Sequence, residues 1–170
     1  MQNWVNDKNK SVMAFEKIKD TILPKLIRGK LINIENSNEE VLALMDVYSG
    51  IDVVRSQEKN LQGIAWRAQW GKAWNTFTIR QQRHTGTKTE LEKRIESIDN
   101  GYFYPAFTMQ AYFDNFSDFN CLSVGIIKTV DLFTLYKTKP EIFKQRQSDN
   151  LFLYVEWDDL KPYIKTWQAA

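Results

Sequence analysis

The sequence predicts a single α/β domain built on a mixed β-sheet flanked by helices. Three observations lead there. The chain has 170 residues, 43% apolar and 14% aromatic, which is enough for one domain with a real core. Three consecutive segments between Gly50 and Arg80 are rich in β-branched and aromatic residues. Segments of helical periodicity stand before and after that block.

In chain order, Val12, Met13, Phe15, Ile18, Ile22 and Leu26 recur at helical spacing, so a helix is expected from Ser11 to about Leu26. Ser11 caps it, Pro24 kinks or ends it, and Gly29 stops it. Leu31 to Ile34 reads as a short strand. Glu39 to Val47 reads as a second helix with Asn38 as cap, a strand being the alternative. Gly50 to Arg55 and Gln62 to Trp70 read as a hairpin around the polar turn Ser56 to Asn60, and Thr76 to Arg80 as a third strand.

Thr87 to Ser97 is the next expected helix, capped by Thr87 or Thr89, with Leu91, Ile95 and Ile98 inward and Gly101 as its stop. Tyr104 to Phe113 and Cys121 to Thr129 read as strands around the loop Asp114 to Asn120. A helix at Asp131 to Lys137, a strand at Leu151 to Trp157 and a last helix at Asp158 to Trp167 complete the reading, with Asp158 and Asp159 capping that helix. No repeat, linker or low-complexity segment interrupts the chain.

Composition excludes several chemistries. One cysteine, Cys121, forbids an intrachain disulfide, and with His84 as the sole histidine a Cys/His zinc site within the chain is excluded. Cys121 reads as a small buried apolar residue. No apolar run reaches the ~18 residues of a membrane span, and the first residues lack a signal-peptide pattern. A cytoplasmic protein with no membrane partner is the expectation. The net charge of +2 does not demand a nucleic-acid partner, so local clustering must carry that argument.

Strand side chains alternate between faces. Ile64, Trp66, Ala68 and Trp70 therefore share one face, and Arg67 and Gln69 the other. If strands pair in sequence order, Asp52, Arg67, Gln69 and Arg80 gather on one side of the sheet. The polar loop Gln81 to Glu90, with Arg83, His84, Gly86 and Lys88, adjoins them and runs into a helix N-terminus, which suits a phosphate or carboxylate. Lys93 and Arg94 follow on that helix, where Glu90 is placed to pair with them. The plainer account is a solvated charged face with an Asp52–Arg67 ion pair.

Asp46-Val-Tyr-Ser-Gly-Ile-Asp52 followed by Gly63-Ile-Ala-Trp-Arg-Ala-Gln69 resembles the core hairpin of PD-(D/E)XK, or restriction-endonuclease-like, nucleases. The likeness covers about residues 11 to 100. In that family one strand carries an Asp, the next an (Asp/Glu/Gln)-x-Lys signature, a helix follows and packs on the sheet, and an acid on the first helix often completes a metal site. Asp52 matches the strand Asp, and Glu16 stands for the helical acid. Arg67-Ala-Gln69 occupies the signature, with neither the acid nor the Lys. The resemblance implies a restriction-endonuclease-like mixed sheet and Mg²⁺ or Mn²⁺ held by Asp52 with Asp46 or Glu16. Catalytic duties would fall to Asp52, Arg67, Gln69 and Lys72, the last as a displaced cation. Arg80, Arg83, Lys88 and Lys93 would grip phosphates. Otherwise the metal is lost, and Arg67, Arg80 and Arg83 bind a phosphate or another protein. The resulting expectation is a nucleic-acid-binding protein cleaving phosphodiesters. The alternative is an inactive binding module, or a phage or mobile-element protein acting on nucleic acid or a host protein. A homodimer is compatible with either. Of Trp66, Trp70 and Trp74, the alternation puts the first two in the core and leaves Trp74 for stacking.

Overall fold

The computed structural model describes residues 2–35, 37–82, 87–147 and 151–169. It is a mixed α/β structure with four α-helices, a six-stranded mixed sheet and a three-stranded sheet. The helices are α1 (Gln2–Ile18), α2 (Glu40–Ser49), α3 (Glu90–Asn100) and α4 (Thr129–Thr138). The strands are β1 (Lys30–Asn33), β2 (Val53–Gln57), β3 (Asn60–Trp70), β4 (Thr76–Gln82), β5 (Phe107–Phe113), β6 (Cys121–Lys128), β7 (Lys144–Gln147), β8 (Leu151–Glu156) and β9 (Lys165–Gln168).

The larger sheet runs β1-β2-β3-β5-β6-β9. Its neighbours are antiparallel except β3 and β5, which are parallel and are joined through β4 and α3. The register places Ile64, Trp66, Ala68 and Trp70 opposite Phe107, Met109, Ala111 and Phe113. That apolar face packs under α1, which buries Ala14, Phe15 and Ile18, and under the following turns with Leu23, Leu26 and Ile27. The next residue of each strand looks the other way, so Arg67 lies beside Gln110 and Gln69 beside Tyr112. Alternation in the sequence had placed these faces correctly.

Strand pairing departs from sequence order at one point. β4 does not extend the β2–β3 hairpin; it pairs antiparallel with β8 in the second sheet, ordered β4-β8-β7. The reason lies in its inward residues. Phe77 and Ile79 are buried in a second core with Leu153, Val155, Leu91, Leu132 and Phe133, across the polar face of the larger sheet. Tyr112 ties the layers together: its hydroxyl lies 2.8 Å from Thr76 Oγ1 and accepts from Gln110 Nε2 at 2.7 Å.

Several boundaries also differ from expectation. α1 starts at Gln2 and ends at Ile18; Pro24 falls in a separate 3-10 turn, Leu23–Lys25, where its missing N–H costs nothing. Glu39, not Asn38, precedes α2. Asp158 to Trp167 is not a helix. Trp157–Leu160 is a 3-10 turn and Lys165–Gln168 is strand β9 on the sheet edge. The polar strand β7 was not expected at all. α3 follows its capping signal: Thr89 Oγ1 accepts from Glu92 N at 3.3 Å and Thr89 N donates to Glu92 Oε2 at 2.7 Å, while Gly101 ends the helix at a φ of 67°.

Gly125 in β6 shows how closely the layers approach. A Cβ there would lie 2.6 Å from the buried Trp157 ring. Gly125→Ala is expected to cost about 1–3 kcal/mol, because a rigid indole in a filled core cannot retreat. Urea unfolding measures this, and a variant as stable as the parent would refute the packing.

Candidate functional site

A polar cavity of about 240 Å³ opens between β3, β4 and β5 on one side and α3 with the end of α2 on the other. Asp46, Asp52, Arg67, Arg80, Lys93 and Arg94 all line it.

Asp52 sits where α2 hands over to β2. Gly50 ends α2 in the left-handed region at φ 57°, a conformation glycine adopts without strain. From there Asp52 N donates to Ile64 O at 3.0 Å and Asp52 O accepts from Ile34 N at 2.9 Å. Trp66 N–H then meets the carboxylate, 2.6 Å from Oδ2. Burial raises the Asp52 pKa well above the ordinary carboxylate value, and negative charge on Glu35 and Asp46 adds to the rise; the Trp66 N–H and Arg94 oppose it. Glu35 is raised for the same first reason, burial, with Asn33 and Lys8 opposing and Asp46 adding. Asp46 pairs with Lys8 of α1 at 3.1 Å. Asp46 and Asp52 thus both line the cavity, while Glu35 acts on Asp52 through its charge from outside the lining.

Cations line the cavity as well. Arg94 is 5% exposed and donates to Gly50 O at 2.7 Å and to Ser49 O, closing the C-terminus of α2. A Cβ on Gly50 would lie 2.6 Å from that guanidinium, so the glycine also makes room for it. Arg67 binds Glu90 at 2.6 Å and donates to Thr78 O and Oγ1 at 2.7 and 2.8 Å. Burial works against charge on Glu90, but Arg67 and Arg94 outweigh it and hold its pKa below the ordinary value. Arg80 N lies 3.4 Å from Glu90 Oε2, and Lys93 Nζ reaches Val47 O at 3.2 Å.

The residues singled out by sequence separate here. Asp52, Asp46, Arg67, Arg80 and Lys93 meet at the cavity. Arg67 pairs with Glu90, not Asp52, and Glu90 makes that pair across to β3 instead of along its own helix. Gln69 turns to Thr78 Oγ1 at 3.1 Å and lines the neighbouring groove. Glu16 is ion-paired with Lys19 on the exposed side of α1 and is no part of the cavity. Lys72 lies over the Trp74 ring, 4.7 Å from its centroid, outside the cavity. Lys88 is held by Glu96 at 2.6 Å. Thr89 takes an N-terminal donor of α3, and Glu90 and Glu92 make its first turn acidic, which disfavours an anion there. Arg83, His84 and Gly86 lie outside the described residues.

Glu35 was missed, and Glu90 and Arg94 were set beside the polar face as helix-surface ion pairs with no role in the site. Glu35 follows a short strand with no motif around it, and Arg94 looked like a surface helix residue. The one available signal was the pair of residues Gly50 and Asp52 flanking an apolar Ile, a turn that exposes backbone carbonyls.

Among the described residues, no group of three or more His, Cys, Asp or Glu side chains is placed to hold a metal ion together. Mg²⁺ is often held by one or two carboxylates with water and substrate phosphate, and the hard oxygens of Asp52 with Asp46 or Glu35 suit it. The Cys121 thiol is pushed up to about 12 by burial, so it is not a ready nucleophile. Among the described residues no helix is long and apolar enough to cross a membrane. Comparison with known proteins finds no family model, no curated protein and no solved structure that matches the chain.

Proposed function

We propose that this chain is a nucleic-acid-binding protein on a restriction-endonuclease-like core, whose cavity engages a phosphodiester and cleaves it with Mg²⁺ or Mn²⁺. The observation that carries the reading is the polarity of the cavity. The carboxylates Asp46 and Asp52 line it together with Arg67, Arg80, Lys93 and Arg94, and Asp52 has both the negative charge of Glu35 and Asp46 and the positive charge of Arg94 near it. A divalent cation relieves crowding among carboxylates, and a phosphate beside it meets cationic side chains. The order of elements supports the core: helix α1, the β2–β3 hairpin headed by Asp52, then α3 and the parallel strand β5.

Asp52 with Asp46 or Glu35 would hold the ion. When bound, the ion would polarise a phosphoryl oxygen and lower the pKa of a water. Lys93 and Arg80, which line the cavity, would take the phosphate, while Arg67, committed to Glu90 and Thr78, holds β4 against β3. The test is incubation of the protein with labelled single- and double-stranded DNA and RNA, in Mg²⁺ or Mn²⁺ and in EDTA. Metal-dependent cleavage is the expected result. Salt-sensitive binding with no cleavage under any metal would refute catalysis. It would favour a second reading, an inactive binding module, whose specific support is the occupation of the signature by Arg67 and Gln69.

A further inference from the structure

The geometry points to a base-stacking platform for single-stranded nucleic acid on the outer face of the three-stranded sheet, next to the cavity. This inference rests on the nucleic-acid reading above and names its substrate class.

Along β8, Leu153 and Val155 are buried inward, so Phe152, Tyr154 and Glu156 face outward. The register gives the aromatics polar or cationic neighbours on both sides. Phe152 lies between Arg80 of β4 and Arg146 of β7; Tyr154 lies between Thr78 and Lys144. Trp74, 54% exposed, stands at the head of the same face. Together with Gln69, Thr76 and Arg146 these aromatics line a groove of about 600 Å³.

Cations lie over every one of these rings. Lys72 and Arg146 are 4.7 and 5.9 Å from the Trp74 ring centre, Arg80 and Arg67 are 5.5 and 6.0 Å from Phe152, and Lys144 is 6.0 Å from Tyr154. Among the described residues Glu156 is the single acid in the groove lining, and Lys144 pairs with it at 2.7 Å. Positive charge over one exposed and two half-buried aromatic rings is the chemistry that single strands require: bases stack on rings while long basic side chains swing to phosphates. A duplex keeps its base faces covered and cannot use the rings. Trp66 and Trp70 offer no such surface, since Trp66 packs on Phe15 and Trp70 among Phe113, Phe116 and Phe119.

The groove and the cavity are neighbours. Thr78 lines both, and Arg67 and Arg80 line the cavity while lying over Phe152. A strand stacked on the sheet would therefore lie next to the cavity that holds Asp52.

The test is fluorescence anisotropy in EDTA with labelled oligothymidine and oligouridine of about a dozen nucleotides, and with a duplex of equal length. Single strands are expected to bind more tightly than the duplex. Trp74→Ala should weaken single-strand binding roughly 5- to 150-fold, the loss of one stacked base. Arg146→Gln should flatten the logarithmic salt dependence by about 0.7, one phosphate contact on a single strand. Both side chains are exposed, and unchanged circular dichroism would confirm folding. Failure of both single strands to bind, equal binding of duplex, or variants that bind like the parent would overturn the platform. Because binding is read in EDTA, absence of cleavage in Mg²⁺ with binding intact overturns only the catalytic reading.

Discussion

Asp52→Asn is expected to lower metal-dependent cleavage by about a hundredfold to a thousandfold, the scale of losing one preorganised electrostatic contact, and to raise stability at neutral pH. Both effects have one cause. The carboxylate is held away from water, near Glu35 and Asp46, and its pKa is raised. The folded protein therefore keeps the Asp52 proton to a higher pH than the unfolded chain does, so protonation favours folding. Stability from this group is fully present below the unfolded value and is lost as pH rises through the folded pKa. Asn keeps an acceptor for the Trp66 N–H, now 2.6 Å from Oδ2, and carries no charge. Thermal unfolding of parent and variant from about pH 4 to pH 8 checks this. The variant should gain most at the upper end, and the gap should narrow as pH falls. A variant less stable throughout would refute the argument, and an unchanged cleavage rate would remove Asp52 from the chemistry. Such a trade of stability against activity is common where a site must hold unfavourable charge.

Arg94→Met should cost about 3–5 kcal/mol. The substitution keeps apolar bulk but removes the donors to Ser49 O and Gly50 O and the cation between Glu90 and Asp52. Two carbonyls then lose their donors and two carboxylates lose a compensating charge. Urea unfolding measures the loss, and Arg94→Lys should recover part of it. Because Arg94 lowers the Asp52 pKa, its removal should also shift any pH–rate profile of cleavage upward. A loss below about 1 kcal/mol would show that Arg94 is solvated and dispensable.

Much of the element content was legible because it depends on neighbours in sequence. The alternation from Ile64 to Trp70 separated core from site, and Thr89, one of the two caps the sequence offered, and Gly101 marked the ends of α3. The short strands β7 and β9 were not legible. Lys-Gln-Arg-Gln and Lys-Thr-Trp-Gln carry no apolar alternation, and they are strands because neighbouring strands offer free edges. Glu16 matched a family pattern by position alone; its actual surroundings are solvent and Lys19.

The residues alone determined that this chain has an α/β composition, a hairpin carrying Asp52 at its head, and Arg67 and Gln69 opposite the tryptophan face. Those features follow from backbone geometry repeated every two or 3.6 residues. Tertiary structure alone decided that β4 leaves for a second sheet, that Arg94 is buried and that Glu35 joins Asp52. Each of these depends on burying apolar area and pairing charge between segments distant in the chain, and no local pattern encodes which distant partner wins.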